Sequence, residues 1–142
     1  MDANFDDYGM MIKGLLHVSP KEAWELCKKG ALIIDVRPEE MRMGKAFNTD
    51  NLIYSPYTEF AENYSELPSD KLLILADATG LRSRECLSFL MDKGYSNAAN
   101  LTGGILEWER DGLPVNINKA ELKNSLTSLR QSKRHVKVRL KD

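Results

Sequence analysis

The feature that most constrains this chain is a short apolar run that breaks into a turn and continues as a helix. The run is Leu72–Ala76; Asp77–Gly80 follows it, and a helix-like segment extends from Arg84 to Lys93. A short apolar run bounded by turn residues is typical of a strand buried on both faces. A sharp strand-to-helix turn leaves free backbone N–H groups at the positive end of the helix dipole. The sequence therefore predicts an anion-binding loop with Asp77 at its mouth.

Helix-like and strand-like segments alternate along most of the remaining chain. Ser19-Pro20-Lys21-Glu22 predicts a capped helix start, because serine caps, proline suits the first helical position and glutamate bonds back to the cap. The alternation predicts a parallel sheet covered on both faces, with the anion-binding loop at its carboxyl edge. We expect strands at Ala31–Ile34, Asn51–Tyr54 and Ala98–Leu101, helices at Pro20–Lys29, Thr58–Leu67 and Ile105–Asp111, helical turns at Met10–Leu16 and Glu39–Met43, and a loop at Lys45–Asp50.

Composition predicts one ordinary globular domain and excludes several other classes. A length of 142 residues suits a single domain with a core. No apolar stretch reaches about 18 residues, and no secretory signal precedes the domain, so we expect a cytoplasmic protein without a membrane span. His17 and His135 lie far apart, without a cysteine or carboxylate cluster at metal spacing. We therefore expect no metal and no cofactor.

The two cysteines fall on the apolar faces of predicted helices. Cys27 shares a face with Ala23 and Leu26, and Cys86 shares one with Leu87. Such positions predict packing in the core instead of a disulfide or a reactive thiol.

Charge is distributed unevenly between the body and the C-terminus. From Lys119 to Asp142 there are eight basic and two acidic residues, so this tail carries +6 and the remainder carries −7. The tail either docks on its own acidic body or binds an acidic partner or nucleic acid. Nucleic acid is disfavoured because no aromatic side chain lies among the basic residues to stack on a base. A leucine stripe at Leu122, Leu126 and Leu129 predicts a helix. Alternating apolar and basic residues over Val136–Leu140 predict an extended arm. Either element is suited to forming a homodimer through this extension.

Three segments in order resemble the rhodanese-like domain family. They are Ile34-Asp35-Val36-Arg37, Gly80-Leu81-Arg82-Ser83, and Gly94–Asn97 followed by Leu101–Trp108 with its paired glycines. The resemblance covers residues 15–115, leaving an N-terminal segment at 1–14 and a C-terminal extension at 116–142. It implies a three-layer α/β/α domain with a mainly parallel sheet of about five strands, followed by the C-terminal helix and the basic extended tail.

The resemblance also implies an active-site loop, and this chain departs from the family there. The family's catalytic cysteine falls on Asp77, and the segment before the third strand keeps only Gly44 of its usual glycines. The loop equivalents are Asp77, Ala78, Thr79, Gly80, Leu81 and Arg82, and the resemblance offers Asp35, Arg37, Arg82 and Ser83 as binding residues. We expect Arg82 to hold loop carbonyls or to pair with Asp77.

The departure predicts a rhodanese-type domain without sulfurtransferase activity. In the family, the cysteine carries sulfur as a persulfide, which a carboxylate oxygen cannot do. Asp77 either fills the anion site with its own carboxylate or caps the helix through the N–H groups of Thr79 or Gly80. The expected role is a binding or regulatory module for a protein or a small anionic ligand. The alternatives are a sulfurtransferase that uses another thiol, with Cys86 as the candidate, and a hydrolase that uses Asp77.

Overall fold

A six-stranded sheet is the centre of the molecule. The computed structural model describes residues 4–120, and the sheet runs in the order β1-β2-β7-β6-β3-β5. Strand β1 pairs antiparallel with β2, and all other neighbours are parallel. The strands are β1 Met10–Ile12, β2 Leu15–Val18, β3 Leu32–Asp35, β5 Leu52–Tyr54, β6 Leu73–Ala76 and β7 Ala98–Leu101, and β4 Lys45–Phe47 pairs separately with β8 Val115–Ile117.

Helices cover both faces of the sheet, as the alternating pattern predicts. One core cluster packs α1 and α5 against one face, with Trp108 and Phe47 fully enclosed. The other packs α3 and α4 on the opposite face, around Leu75 and Leu87. The helices are α1 Pro20–Lys28, α2 Glu39–Arg42, α3 Phe60–Asn63, α4 Leu81–Asp92 and α5 Gly104–Arg110, and short 3-10 turns at Tyr57–Glu59 and Tyr64–Glu66 flank α3. The three-layer α/β/α architecture is confirmed.

The predicted helical turn over Met10–Leu16 is wrong, since this segment is the β1–β2 hairpin. Its two-residue turn is Lys13-Gly14, and both residues have positive φ, 52° and 83°. Two positive φ values in succession define the turn that matches the twist of a tight hairpin. Lysine is an unusual choice there, so the sequence carries no strong hairpin signal.

The predicted loop over Lys45–Asp50 is wrong in its first half. Lys45–Phe47 forms β4, which pairs antiparallel with Val115–Ile117. Phe47 is 1% exposed and its ring lies edge-on to that of Trp108, 5.2 Å between centroids. This pairing joins segments far apart in sequence, and a three-residue strand has too little periodicity to predict.

The predicted C-terminal helix and arm, over residues 121–142, lie outside the described residues. None of the helices between residues 4 and 120 combines the length and the apolar content that a membrane crossing requires.

The capping box at the start of α1 is confirmed. Ser19 Oγ accepts the backbone N–H of Glu22 at 3.1 Å, and Glu22 Oε1 accepts that of Ser19 at 2.9 Å. The other oxygen of Glu22 accepts the N–H of Gly9 at 2.9 Å, which ties the segment before β1 to the helix. One sequence motif thus anchors both the helix and the approach to the hairpin.

Replacing Ser19 with alanine is expected to lower the free energy of unfolding by about 1 kcal/mol, because the substitution removes one acceptor at the helix start. Urea denaturation followed by circular dichroism measures the change. Ser69→Ala, at an exposed loop position, is the matched control and is expected to change stability by less than about 0.5 kcal/mol. Equal losses in the two variants would contradict the capping role.

Candidate functional site

The loop after β6 is closed around the side chain of Asp77. Oδ1 accepts the backbone N–H groups of Thr79, at 3.1 Å, and Gly80. Oδ2 accepts those of Arg82, at 2.7 Å, and Ser83, at 3.3 Å. Asp77 as a whole is 5% exposed. The sequence left open whether Asp77 fills the anion site or caps the helix. The structure shows both, because the carboxylate that caps α4 also occupies the centre of the anion-binding loop.

Local sequence explains why the chain turns so tightly here. Gly80 precedes α4 with φ of 103°, a left-handed conformation that glycine adopts without steric cost. The turn directs the first N–H groups of α4 toward the end of β6. A carboxylate at this point satisfies donors that have no partner within the helix.

A second helix start supports the loop from the other side. The N–H groups of Ile105 and Leu106 donate to the carbonyls of Asp77, at 2.9 Å, and Ala78, at 3.2 Å. Gly104 lies so close that an added Cβ would be 2.4 Å from the Asp77 carbonyl oxygen. The paired glycines thus allow α5 to contact the loop backbone directly.

A chain of polar side chains leads from Asp77 across the sheet. Ser83 Oγ lies 3.5 Å from Asp77 Oδ1 and donates to Asn100 Oδ1 at 2.5 Å. The amide nitrogen of Asn100 lies 3.2 Å from His17 Nδ1 and 3.4 Å from the Gly80 carbonyl oxygen. Ser83 and Asn100 are buried, whereas His17 is half-buried.

Sequence reasoning missed Asn100 and His17 as neighbours of the loop. An asparagine inside the apolar strand Ala98–Leu101 was the available signal, since buried amides require hydrogen-bond partners. The neighbour of Asn100 depends on strand order, and β2 pairs with β7 although some eighty residues separate them. No local pattern in the sequence contains that information.

Asp35 and Arg37 lie at the same sheet edge but are engaged with each other. The register places Asp35 beside Ala76, one residue before the loop. Arg37 donates from Nε and Nη2 to the Asp35 carboxylate, with the shortest contact at 2.8 Å, and from Nη1 to the Met41 carbonyl at 3.1 Å. Both side chains are buried. This two-pronged pair connects the end of β3 to α2, and a binding role for either residue stays a prediction.

Arg82 does not make the contacts expected of it. Its guanidinium lies 3.5 Å from Glu85 Oε1 and 4.7 Å from the centre of the Tyr57 ring. Only its backbone N–H reaches Asp77. The prediction that its side chain pairs with Asp77 or holds loop carbonyls is wrong, because the start of α4 points the side chain outward.

Both cysteines lie in the core, as their helix positions predict. Burial, with the nearby carboxylates of Asp77 and Glu85 adding to it, raises the pKa of the Cys86 thiol to about 12. Burial raises the pKa of Cys27 to about 11. No group of three or more histidine, cysteine or carboxylate side chains at residues 4–120 is placed to hold a metal ion.

Comparison with known proteins identifies the fold family. The family model of the rhodanese-like domain matches residues 19–111. This chain belongs to the rhodanese-like domain family.

Sequence relatives and solved structures agree with that assignment. The chain is 30% identical over 103 residues to thiosulfate sulfurtransferase GlpE of Haemophilus influenzae, a match spanning 69% of this chain and 91% of that protein. It is 33% identical over 85 residues to a sulfurtransferase of Allochromatium vinosum, spanning 59% and 77% of the two chains. The crystal structure of a rhodanese-related protein from Thermoplasma volcanium superposes with a TM-score of 0.63 at 29% identity, over 72% of this chain and 98% of that one.

Replacing Gly104 with alanine tests the contact between α5 and the loop. Gly104 and Gly112 both have positive φ, 62° and 82°, but only the former meets neighbouring backbone when a Cβ is added. Both alanine variants are expected to lose about 1–2 kcal/mol through backbone strain. Gly104→Ala is expected to lose about 1–3 kcal/mol more through the clash, as measured by urea denaturation. Similar losses of unfolding free energy in both variants would show that the close approach of α5 to the loop does not contribute to stability.

Replacing Asp77 with alanine is expected to convert a self-occupied loop into an open anion site. Four N–H groups then lack an acceptor, and added sulfate is expected to bind them and raise the melting temperature. Asp77→Asn still fills the loop and serves as the control for the general stabilisation that sulfate gives by surface exclusion. Equal sulfate-dependent shifts in both variants and the natural chain would contradict the self-occupied loop.

Proposed function

We propose that this chain is a rhodanese-type binding module whose loop does not transfer sulfur. The observation behind the proposal is that the Asp77 carboxylate accepts four backbone N–H groups at the position where the family resemblance places the catalytic cysteine. The donors that would hold an anionic donor substrate are already occupied by a side chain of the protein.

A carboxylate at this position is unsuited to sulfur transfer for two reasons. Its oxygen is a hard, weak nucleophile and forms no persulfide, whereas a thiolate does. Its negative charge also opposes an anionic sulfur donor. Two like charges about 4 Å apart repel by roughly 4 kcal/mol at an effective dielectric constant near 20, which corresponds to about a thousandfold weaker binding.

The thiols elsewhere are poor substitutes for a loop cysteine. Burial raises the pKa of Cys86 to about 12, so the thiol is almost entirely protonated at pH 7. Cys86 is also 6% exposed and packs among Leu87, Leu90 and other core residues. Cys27 is equally buried on the opposite face of the sheet.

Sulfurtransferase activity is the second candidate, and the comparisons favour it. Relatives at about 30% identity are named thiosulfate sulfurtransferase GlpE, and the match spans 91% of the protein from Haemophilus influenzae. This candidate requires a sulfur-carrying thiol, for which the described residues offer only Cys27 and Cys86. The hydrolase alternative gains no support from the structure, because Asp35, the carboxylate at the end of the neighbouring strand, is engaged by Arg37.

The partner we propose for the module is a protein or a small anionic ligand. A cytoplasmic location and a homodimer through residues 116–142 remain part of the proposal. The dimer rests on the sequence pattern of that extension alone, namely its leucine stripe and its alternating arm.

Cyanolysis with thiosulfate separates the two candidates. The natural chain is expected to show no turnover and, by intact mass after donor treatment, no added sulfur. Asp77→Cys is expected to show both turnover and added sulfur. Asp77→Ser is the matched control, because it also removes the carboxylate but supplies no sulfur.

Turnover by the natural chain that is lost in Cys86→Ala would overturn the proposal and establish the second candidate. Hydrolysis of a phosphate ester that is lost in Asp77→Asn would instead favour the hydrolase. If Asp77→Cys folds but takes up no sulfur, the loop is not a disarmed sulfurtransferase site, and the explanation given for Asp77 fails.

A further inference from the structure

A groove separate from the loop lies between the β1–β2 hairpin and the first turns of α4. It encloses about 380 Å³, within the range of small-molecule sites. It is lined by Ile12, Lys13, Leu15, His17, Arg84, Glu85 and Ser88. No residue of the Asp77 loop lines it, although His17 connects the two regions through its contact with Asn100.

One wall of the groove is the face of the hairpin. Ile12 pairs with Leu15, and Met10 pairs with His17. Directly paired residues in an antiparallel hairpin present their side chains on the same face. The hairpin therefore places two aliphatic side chains beside one imidazole. Ile12 is 47% exposed, which leaves apolar surface open to a ligand.

The basic and acidic residues of the groove differ in whether they form salt bridges. Within residues 4–120, neither the Lys13 ammonium nor the Arg84 guanidinium forms a salt bridge. The single carboxylate of the lining, Glu85, lies 3.5 Å from the Arg82 guanidinium. Among the described residues, the groove thus has two cations without a salt-bridge partner, while its one carboxylate already has a partner.

His17 lines the same groove and is hydrogen-bonded to Asn100. The amide nitrogen of Asn100 also contacts the Gly80 carbonyl oxygen, and Asn100 Oδ1 accepts from Ser83 Oγ. These contacts fix the amide orientation, so the nitrogen donates to His17 Nδ1 at 3.2 Å. Burial, and then the nearby Arg84, lower the pKa of His17. The neutral ring accordingly carries its proton on Nε2, as a hydrogen-bond donor.

We infer that this groove binds a small organic anion, whose charged group is held by Lys13, Arg84 and His17 and whose apolar part packs on Ile12 and Leu15. Unpaired cations and an N–H donor recognise a carboxylate or a similar oxyanion. The exposed aliphatic side chains favour a ligand with a short hydrocarbon body over an inorganic ion. The inference does not rest on the proposed function, since the groove and the loop are lined by different residues.

The test is a titration of the full ¹⁵N-labelled chain with hexanoate, followed by two-dimensional NMR. Saturable shifts are expected at the amides of His17, Glu85 and Ser88. Hexanamide has the same hydrocarbon body without the charge, and sulfate has the charge without the body. Both are expected to bind at least about tenfold more weakly than hexanoate.

The variant that tests the cations combines Lys13→Asn with Arg84→Gln. Lys13 has φ of 52°, a conformation that asparagine tolerates well, and glutamine is a good helix former. The fold should therefore be kept while hexanoate binds about tenfold more weakly. The matched control combines Lys21→Gln with Lys71→Gln, two exposed lysines outside the groove, and is expected to bind as the natural chain does.

Four results would each overturn the inference. The first is the absence of saturable shifts with hexanoate, and the second is binding of hexanamide or sulfate as strong as that of hexanoate. The third is unchanged hexanoate binding in a Lys13→Asn/Arg84→Gln variant whose NMR spectrum remains that of a folded chain. The fourth is a set of shifts centred on Asp77–Gly80 instead of the groove.

Discussion

The hydrogen bonds between the Asp77 carboxylate and four backbone N–H groups are the interaction on which the arrangement of this sheet edge depends. They join the end of β6 to the start of α4 within seven residues, Asp77 to Ser83. A helix start that is buried without acceptors would be costly, since each unsatisfied donor costs about 1–3 kcal/mol. Here the chain supplies the acceptor itself, in the carboxylate of Asp77.

The loop is also supported by the helix that follows β7. Two N–H groups at the start of α5 donate to loop carbonyls, so donors and acceptors of the loop backbone are both satisfied by neighbouring elements. The approach is possible only because Gly104 has no side chain. Two helix starts therefore converge on one loop, and both carry the positive end of a helix dipole. The loop backbone is therefore held from both sides, whether or not the site has any chemistry.

The sequence allowed the sheet, the capped helix and the loop to be predicted because each has a local signal. Apolar runs marked the central strands, and the serine–glutamate pair marked α1. The features that the sequence did not predict have a common physical cause: each depends on contacts between distant segments or on an unusual backbone conformation. The Lys13-Gly14 turn uses a lysine at positive φ, and β4 exists because a segment near residue 116 pairs with it. Asn100 and His17 become neighbours of the loop only through strand order.

The prediction for Arg82 failed for a reason that bears on the loop's chemistry. A side chain at the first turn of α4 was expected to complete the anion site, yet the guanidinium turns toward Glu85 and Tyr57. The carboxylate already accepts four N–H groups, so the loop is held together without a cation from this side chain. The charged side chain is instead free to make surface contacts, which contribute little to stability.

A carboxylate and a thiolate carry the same charge, but they use the surrounding donors differently. Asp77 divides its four N–H groups between two oxygens, whereas a single sulfur would have to accept them at one point and more weakly. A loop that presents a thiolate keeps unused hydrogen-bonding capacity, which a substrate anion can take up. The loop of this chain retains almost none. The same N–H groups can either hold the loop together or bind a substrate anion. In this sequence they bind the Asp77 carboxylate and hold the loop together. The groove between the hairpin and α4 is lined by other residues, among them Lys13 and Arg84, which form no salt bridge within residues 4–120.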